Sequence, residues 1–356
     1  MNTSDYLNSV YDAKTESGLV SEICRQLGNS DCKTMPERQK SLYGGLKFTA
    51  SLAGIELDNK KSLIIGSGQK GEMLLQALCQ SASAVSLMSE PAAKAAAEAG
   101  KLSEVEIIIC VPDDSDETGT FDLDKMMNCQ GLIDLSCYPR RTALMLRAEA
   151  RGLPCMDGLP MLVYSTAHAC CDAVPAENEL KRALSELRKK LCNIVIIGMP
   201  GSGKSSVAEL ISRKTGRQFV NIDTEIVMRA GKSIPAIFAD DGEAAFRTIE
   251  REETARAGAL TGAVIATGGG VIKDFRNYAP LHRNGRIYYL RRELAELEIE
   301  GRPLSKNLET LKQLEIEREP LYCRFADADV QNNVTLPEAA ERIWEDYCEN
   351  IGVERS

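Results

Sequence analysis

The run Gly198-Met-Pro-Gly-Ser-Gly-Lys204-Ser205 has the spacing G-x-x-x-x-G-K-S, set between an apolar "NIVII" and a helical "SVAEL". Glycines at those positions let successive backbone N–H groups turn inward on a phosphate, at the positive end of the helix that follows. Gly201, Ser202, Gly203, Lys204, Ser205 and Ser206 are the expected nucleotide-binding residues. Lys204 would reach the β- and γ-phosphates, and the Ser205 hydroxyl would ligate Mg²⁺. The chemistry is therefore that of a nucleoside triphosphate, with ATP and Mg²⁺ as the expected cofactors. The loop does not say what receives the phosphate.

Five features further along could. "NIDTEI" follows the next apolar run and places Asp223 and Glu225 two apart. At the carboxyl end of a strand both acids could project into the ligand crevice, although Asp223 serves equally well as a helix N-cap. "DGEAAFRTIEREE" puts Arg247 and Glu250 three apart on a helix, where a surface ion pair is the plain alternative. "VIATGGGVI" sets Gly268, Gly269 and Gly270 directly behind a strand, where three glycines permit close backbone approach. "GRPLS" carries Arg302 in a loop, and "REPLY" carries Arg318 ahead of a proline.

A second glycine loop stands earlier. "LIIGSGQKG" fits G-x-G-x-x-G through Gly66, Gly68 and Gly71, and Glu90 follows at about the distance of a ribose-binding acid. The motif is weak alone. It fits a dinucleotide site, or a turn kept for packing.

These loops need sheets to hold them. From residue 62, "SLIIG", "AVSLM", "EVEIIICV" and "GLIDLS" read as parallel strands apolar on both faces, separated by helical stretches such as "EMLLQALCQ" and "EPAAKAAAEAG". A second alternation, "NIVIIG", "QFVNID", "GAVIATGG" and "GRIYYL", starts at Asn193 and closes in a helical "LPEAAERIWEDYCENI". Between them "ENELKRALSELRKK" reads as a linker helix packing by Leu180, Leu184 and Leu187. The expected fold is α/β with two doubly wound parallel-sheet domains, an N-terminal Rossmann-like one and a C-terminal P-loop one. The expected boundaries are a leader at 1–58, the first domain at 59–175, the linker at 176–191 and the second domain at 192–350.

Composition narrows the partners. A net charge of −9 over 356 residues argues against a nucleic-acid backbone, and no apolar run approaches membrane-spanning length. The polar N-terminal residues do not read as a signal peptide. Twelve scattered cysteines, without a C-x-x-C pair, read as buried reduced thiols of a cytoplasmic protein. The two histidines, His168 and His282, are too few for a histidine metal site, and His282 in "APLHRNG" reads as an exposed helix-end residue.

Taken in order, "GMPGSGKSS", "DTE", "FRTIE", "GGG", "RPL" and "REPLY" resemble the successive signatures of the shikimate kinase family over essentially all of 192–349. The resemblance implies phosphorylation of a shikimate hydroxyl. It assigns Asp223 and Ser205 to the Mg²⁺ shell, Glu225 to the substrate hydroxyls, and Arg247 and Arg318 to the substrate carboxylate. Gly269 would offer its backbone to the substrate, Glu250 would orient Arg247, and Arg302 would close over the ATP phosphates. Lys204, Glu225 and Arg302 are thus the implied catalytic residues. Glu225 stands where the family has Asp, and this substitution keeps a different small-molecule acceptor open.

The segment from "YGGLKFTASLAGIEL" through the first glycine loop to "GLPMLVYSTA" resembles the cofactor-binding half of shikimate dehydrogenases. Against that family's pattern, Ser165 replaces a substrate-contacting Gln, Leu42 an Asp, and Met88-Ser89-Glu90 an N-R-T whose Arg meets the NADP 2′-phosphate. The stretch before Ser62 is also too short for that family's substrate lobe, so NAD(P) is disfavoured as a cofactor. A structural, regulatory or partner-binding first domain is expected. A bifunctional dehydrogenase–kinase and a non-catalytic nucleotide-binding protein are the competing readings.

Overall fold

The computed structural model describes residues 16–27, 38–79, 81–112, 122–171, 174–293, 308–333 and 335–351. These form two compact units that divide between Leu187 and Arg188.

The N-terminal unit opens with helices α1 (Glu16–Gln26) and α2 (Arg38–Leu52). It then alternates β1 (Lys61–Ile65), α3 (Gly68–Leu78), β2 (Ala84–Met88), α4 (Glu90–Glu98), β3 (Ile107–Cys110), β4 (Gly131–Asp134), α5 (Ala143–Ala150), β5 (Cys155–Met156) and α6 (Leu159–Cys170). The five strands pair in parallel in the order β2-β1-β3-β4-β5. Successive strand residues point to opposite faces, and both faces are covered. Ile64, Ile107, Ile109 and Ile133 pack with Leu46, Leu74 and Met161 on one side. Leu63, Ile65, Ile108 and Leu132 pack with Ala93, Leu144 and Ala148 on the other.

Helix α7 (Glu177–Leu191) carries the division between the units. Leu180, Leu184 and Leu187 are buried along its stripe. Acids in its first turn and Arg188, Lys189 and Lys190 in its last complement the helix dipole.

In the C-terminal unit, β6 (Asn193–Ile197) leads into α8 (Lys204–Thr215), then β7 (Phe219–Asn221), α9 (Ile222–Ala230), α10 (Ile234–Asp240) and α11 (Gly242–Gly258). β8 (Val264–Ala266), α12 (Tyr278–Arg283), β9 (Gly285–Arg291), α13 (Leu308–Phe325), β10 (Ala328–Gln331) and α14 (Leu336–Asn350) complete it. The parallel order is β10-β9-β6-β8-β7, so the chain leaves β6 for opposite sides of the sheet in turn. A crevice therefore opens at the carboxyl end of β6, where the phosphate loop sits. Val195, Ile197, Ile265 and Ile287 form one apolar face, and Ile194, Ile196, Val264 and Leu290 the other. Arg217 and Tyr347 close the base of the unit, both bonding to the carbonyls of Lys189 and Cys192.

Two expectations need correction. His282 is buried, not exposed: the end of α12 packs inward and its Nδ1 lies 3.5 Å from Asp327 Oδ2. The edge strand β10 adds to the four strands expected of this sheet; "ADVQ" is short and only Val330 of it is buried, so no apolar run marks it. Among the described cysteines Cys24, Cys110, Cys129 and Cys192 are buried, and Cys79 and Cys323 are exposed. Among the described residues no helix is long and apolar enough to cross a membrane.

Candidate active site

The phosphate loop is shaped by what surrounds each glycine. Gly198 has φ +152°, and a Cβ there would lie 2.6 Å from the Leu290 carbonyl oxygen. Gly203 has φ +90°, and its Cβ would press on Leu336 and Asn332. Side chains are excluded at both positions, by conformation and by space. Asn332, just past β10, donates Nδ2–H to the Ser202 carbonyl at 2.8 Å and braces the loop from behind. The Lys204 ammonium is buried and donates to the carbonyls of Gly198 and Met199 at 3.0 and 2.9 Å, which fixes it inside the loop.

Asn221 ends β7 and caps α9: its Oδ1 accepts from the Asp223 N–H at 3.1 Å. Its Nδ2 donates to Ser205 Oγ at 3.0 Å. One amide thus ties the turn bearing Asp223 to Ser205. Because the strand stops at Asn221, Asp223 and Glu225 lie in the first turn of a helix rather than on one face of a strand. Two residues along a helix turn the side chain about 200°. Asp223 lines the central cavity; Glu225 is not among the residues that line it.

The three glycines carry the other half. A Cβ on Gly268 would lie 2.6 Å from Asp223 Oδ1, one on Gly269 2.9 Å from the Pro200 ring, and one on Gly270 2.7 Å from Arg247 Nη1. Arg247 Nη1 donates to the Gly270 carbonyl at 3.2 Å, and Arg318 Nη1 to that of Gly269 at 3.0 Å. The two guanidinium groups, from α11 and α13, therefore converge on adjacent peptide units. The Tyr322 hydroxyl lies 2.6 Å from the Gly269 carbonyl and 3.0 Å from that of Gly198, linking the glycine run to the phosphate loop.

Glu250 accepts from Arg247 Nη1 at 2.7 Å and is 1% exposed. Burial pushes its carboxyl above the usual range, only partly offset by Arg247. Burial works against the Arg247 charge as well, yet Glu250 and Glu243 outweigh it and raise that guanidinium. The Tyr322 hydroxyl is pushed well up by burial and stays protonated as a donor.

One cavity of about 670 Å³ gathers these groups. Gly201, Gly203, Lys204, Ser205, Ser206, Asp223, Arg247, Gly269 and Arg318 all line it, with Val227, Phe238 and Phe246 supplying an apolar wall. Ser202 sits behind the loop, buried. Arg302 and the rest of "GRPLS" lie outside the described residues. The site fits a Mg²⁺ ion: a hydroxyl and a carboxylate at one cavity wall, with no cluster of three metal-ligating side chains among the described residues. Mg²⁺ typically takes one or two protein oxygens and completes its shell with phosphates and water. Sequence reasoning passed over Asn221 and Tyr322, although both stand inside the quoted runs "NIDTEI" and "REPLY"; only their partners in space reveal them.

The family model described as shikimate kinase matches residues 200–348. The shikimate kinase of Stenotrophomonas maltophilia strain R551-3 is 38% identical over 143 residues, covering 38% of this chain and 79% of that one. The chain belongs to the shikimate kinase family. A solved shikimate kinase from Acinetobacter baumannii, in complex with shikimate, covers 47% of this chain and 98% of its own at 30% identity, with TM-score 0.44. A shikimate 5-dehydrogenase from Thermus thermophilus, in complex with NADP(H) and shikimate, covers 41% of this chain and 62% of its own at 21% identity, with TM-score 0.34. Within the kinase family portion, Lys204, Ser205, Asp223, Arg247, Glu250, Gly269 and Arg318 all line the cavity, whereas Glu225 does not.

Proposed function

We propose that the C-terminal unit transfers the γ-phosphoryl group of ATP to a hydroxyl of shikimate, giving shikimate 3-phosphate and ADP, a step of aromatic amino-acid biosynthesis. The observation that carries this reading is the convergence of Arg247 and Arg318 on the cavity that also holds Lys204 and Ser205. A guanidinium pair suits a carboxylate, and an adjacent apolar wall with Phe246 suits the ring that bears it. The acceptor hydroxyl oxygen forms the new P–O bond while the bond from the γ-phosphorus to the β–γ bridging oxygen breaks. The hydroxyl proton leaves toward solvent or a carboxylate of the cavity wall, which carries Asp223 and Glu250. Lys204 and the loop N–H groups hold the β- and γ-oxygens, so positioning and charge neutralisation do most of the work. Mg²⁺, held by Ser205 and through Asp223, would neutralise phosphate charge. Arg302 would add a cation from the lid. The N-terminal unit serves a structural or regulatory role in this reading.

The test is ADP release with shikimate, quinate and gluconate, beside nicotinamide reduction with shikimate. Shikimate-dependent ADP formation that is lost in Lys204→Ala, without NAD⁺ or NADP⁺ reduction, is expected. Equal turnover of gluconate would overturn the acceptor, and dinucleotide reduction would overturn the role of the N-terminal unit.

A further inference from the structure

Arg247 is gripped by two carboxylates of opposite character. Glu250 is buried, and its Oε2 takes Nη1 at 2.7 Å. Glu243, one turn earlier on α11, has a side chain 55% exposed, yet its Oε1 takes both Nε at 3.2 Å and Nη2 at 3.0 Å. An arginine has five N–H donors in a fixed fork. Nη1 gives two to Glu250 and the Gly270 carbonyl, and Glu243 takes two more from the Nε/Nη2 edge. That edge is the one that offers two parallel hydrogen bonds to an incoming carboxylate. With Glu243 in place a substrate carboxylate finds a single remaining donor on this residue. The surrounding field is also shared: Arg247 first, then Lys273 and Arg318, hold the Glu243 carboxyl below its usual range despite its exposure. The cations assembled for an acidic substrate therefore act on a carboxylate of the chain itself.

We propose that Glu243 is an internal stand-in for the substrate carboxylate, competing for the Nε/Nη2 edge of Arg247 and setting how tightly an acidic acceptor binds. This rests on the shikimate-kinase reading. Docking exchanges one carboxylate for another at the same guanidinium, and Glu243, lying toward solvent, swings out without leaving a buried charge behind. Glu250 cannot play that part, because its carboxylate has no solvent to return to. The exchange weakens binding of an acidic acceptor, because its carboxylate replaces an ion pair already formed instead of adding one.

Glu243→Gln and Glu243→Ala in the full-length chain test it. The KM for shikimate is expected to fall roughly three- to tenfold, with kcat within about twofold and the KM for ATP unmoved. Shikimate binding by calorimetry should tighten by the same factor. A shikimate analogue with a neutral carboxamide should gain nothing, because it never competes for the guanidinium fork. A rise in the shikimate KM, or a loss of kcat in both variants, would make Glu243 a support for Arg247 and overturn the proposal. Failure of the wild type to release ADP with shikimate would instead overturn the function on which the proposal rests.

Discussion

Arg318 and Arg247 reach one cavity from different helices, and each commits a donor to a backbone carbonyl of the glycine run. Their planar forks are what a lysine cannot reproduce. Arg318→Lys should keep the charge, yet lower kcat/KM for shikimate by roughly ten- to a hundredfold, about 1.5–3 kcal/mol, while the KM for ATP holds. A loss below threefold in steady-state assays would show that charge alone suffices. Glu250 gives a prediction in pH. Its carboxyl is raised by burial, so between its ordinary value of 4.5 and the raised one the folded chain binds more protons than the unfolded chain. Stability from this group is present below 4.5 and is lost as pH rises through the raised value. Urea midpoints of the wild type should therefore decline relative to Glu250→Gln as pH rises from about 4.5 to about 7; a widening advantage for the wild type would contradict it. At this scale the sequence was legible wherever residue type was enough. Lys204, Asp223, Arg247, Gly269 and Arg318 could be picked out by identity and order. Asn221 and Glu243 could not, because an Asn before a helix and a Glu four residues ahead of an Arg are ordinary, and their meaning lies in what they touch.

Where an element stops decides which side chains a crevice receives. Ending β7 at Asn221 sets Asp223 at the cavity and carries Glu225 round the helix, whereas strand geometry four residues longer would have put both acids on one face. Sequence periodicity could not fix that boundary, since "QFVNIDTEIV" alternates well enough for a strand and is capped well enough for a helix. The strands flanking the loop were easier: β6, with all five residues buried, and β8 read directly from continuous apolar runs. The glycine run behind β8 has a sharper consequence. Each glycine faces a different partner, so single methyl groups should produce separable defects. Gly270→Ala places a Cβ 2.7 Å from Arg247 Nη1, which should raise the shikimate KM at least about tenfold and leave the ATP KM unchanged. Gly268→Ala presses on Asp223 Oδ1 at 2.6 Å and should instead raise the Mg²⁺ concentration needed for half-maximal rate. Identical defects in the two variants would mean that the run acts as one hinge rather than as three separate contacts.

Both units follow the same topological rule, a glycine loop at the carboxyl end of a central strand whose neighbours lie to opposite sides, and among the described residues the cavity lined by Lys204, Arg247 and Arg318 stands at the second loop. In the N-terminal unit the glycines answer to local needs. A Cβ on Gly66 would lie 2.6 Å from the Val111 carbonyl, and one on Gly71 3.0 Å from Leu87 of β2, so the first serves the turn and the third the helix–strand packing. Gly68, at φ +76°, faces open space and is needed for its conformation alone. Glu90 opens α4 directly behind β2; were a dinucleotide to bind the first loop, an acid there would meet a ribose 2′-hydroxyl and repel a 2′-phosphate. An acid at that position would set NAD⁺ apart from NADP⁺, which the loop motif alone does not. A ligand that binds only the folded state stabilises by about 2.7 kcal/mol at a hundred times its Kd, enough to see in calorimetry. ATP with Mg²⁺ should raise the transition of the unit that carries the phosphate loop, and this rise should be lost in Lys204→Ala. NADP⁺ should leave every transition where it was, and any stabilisation by NAD⁺ should exceed that by NADP⁺ and vanish in Glu90→Ala. A larger shift with NADP⁺ than with NAD⁺ would mean that Glu90 does not face the ribose, and the first loop would then have to be read as a working dinucleotide site of another design.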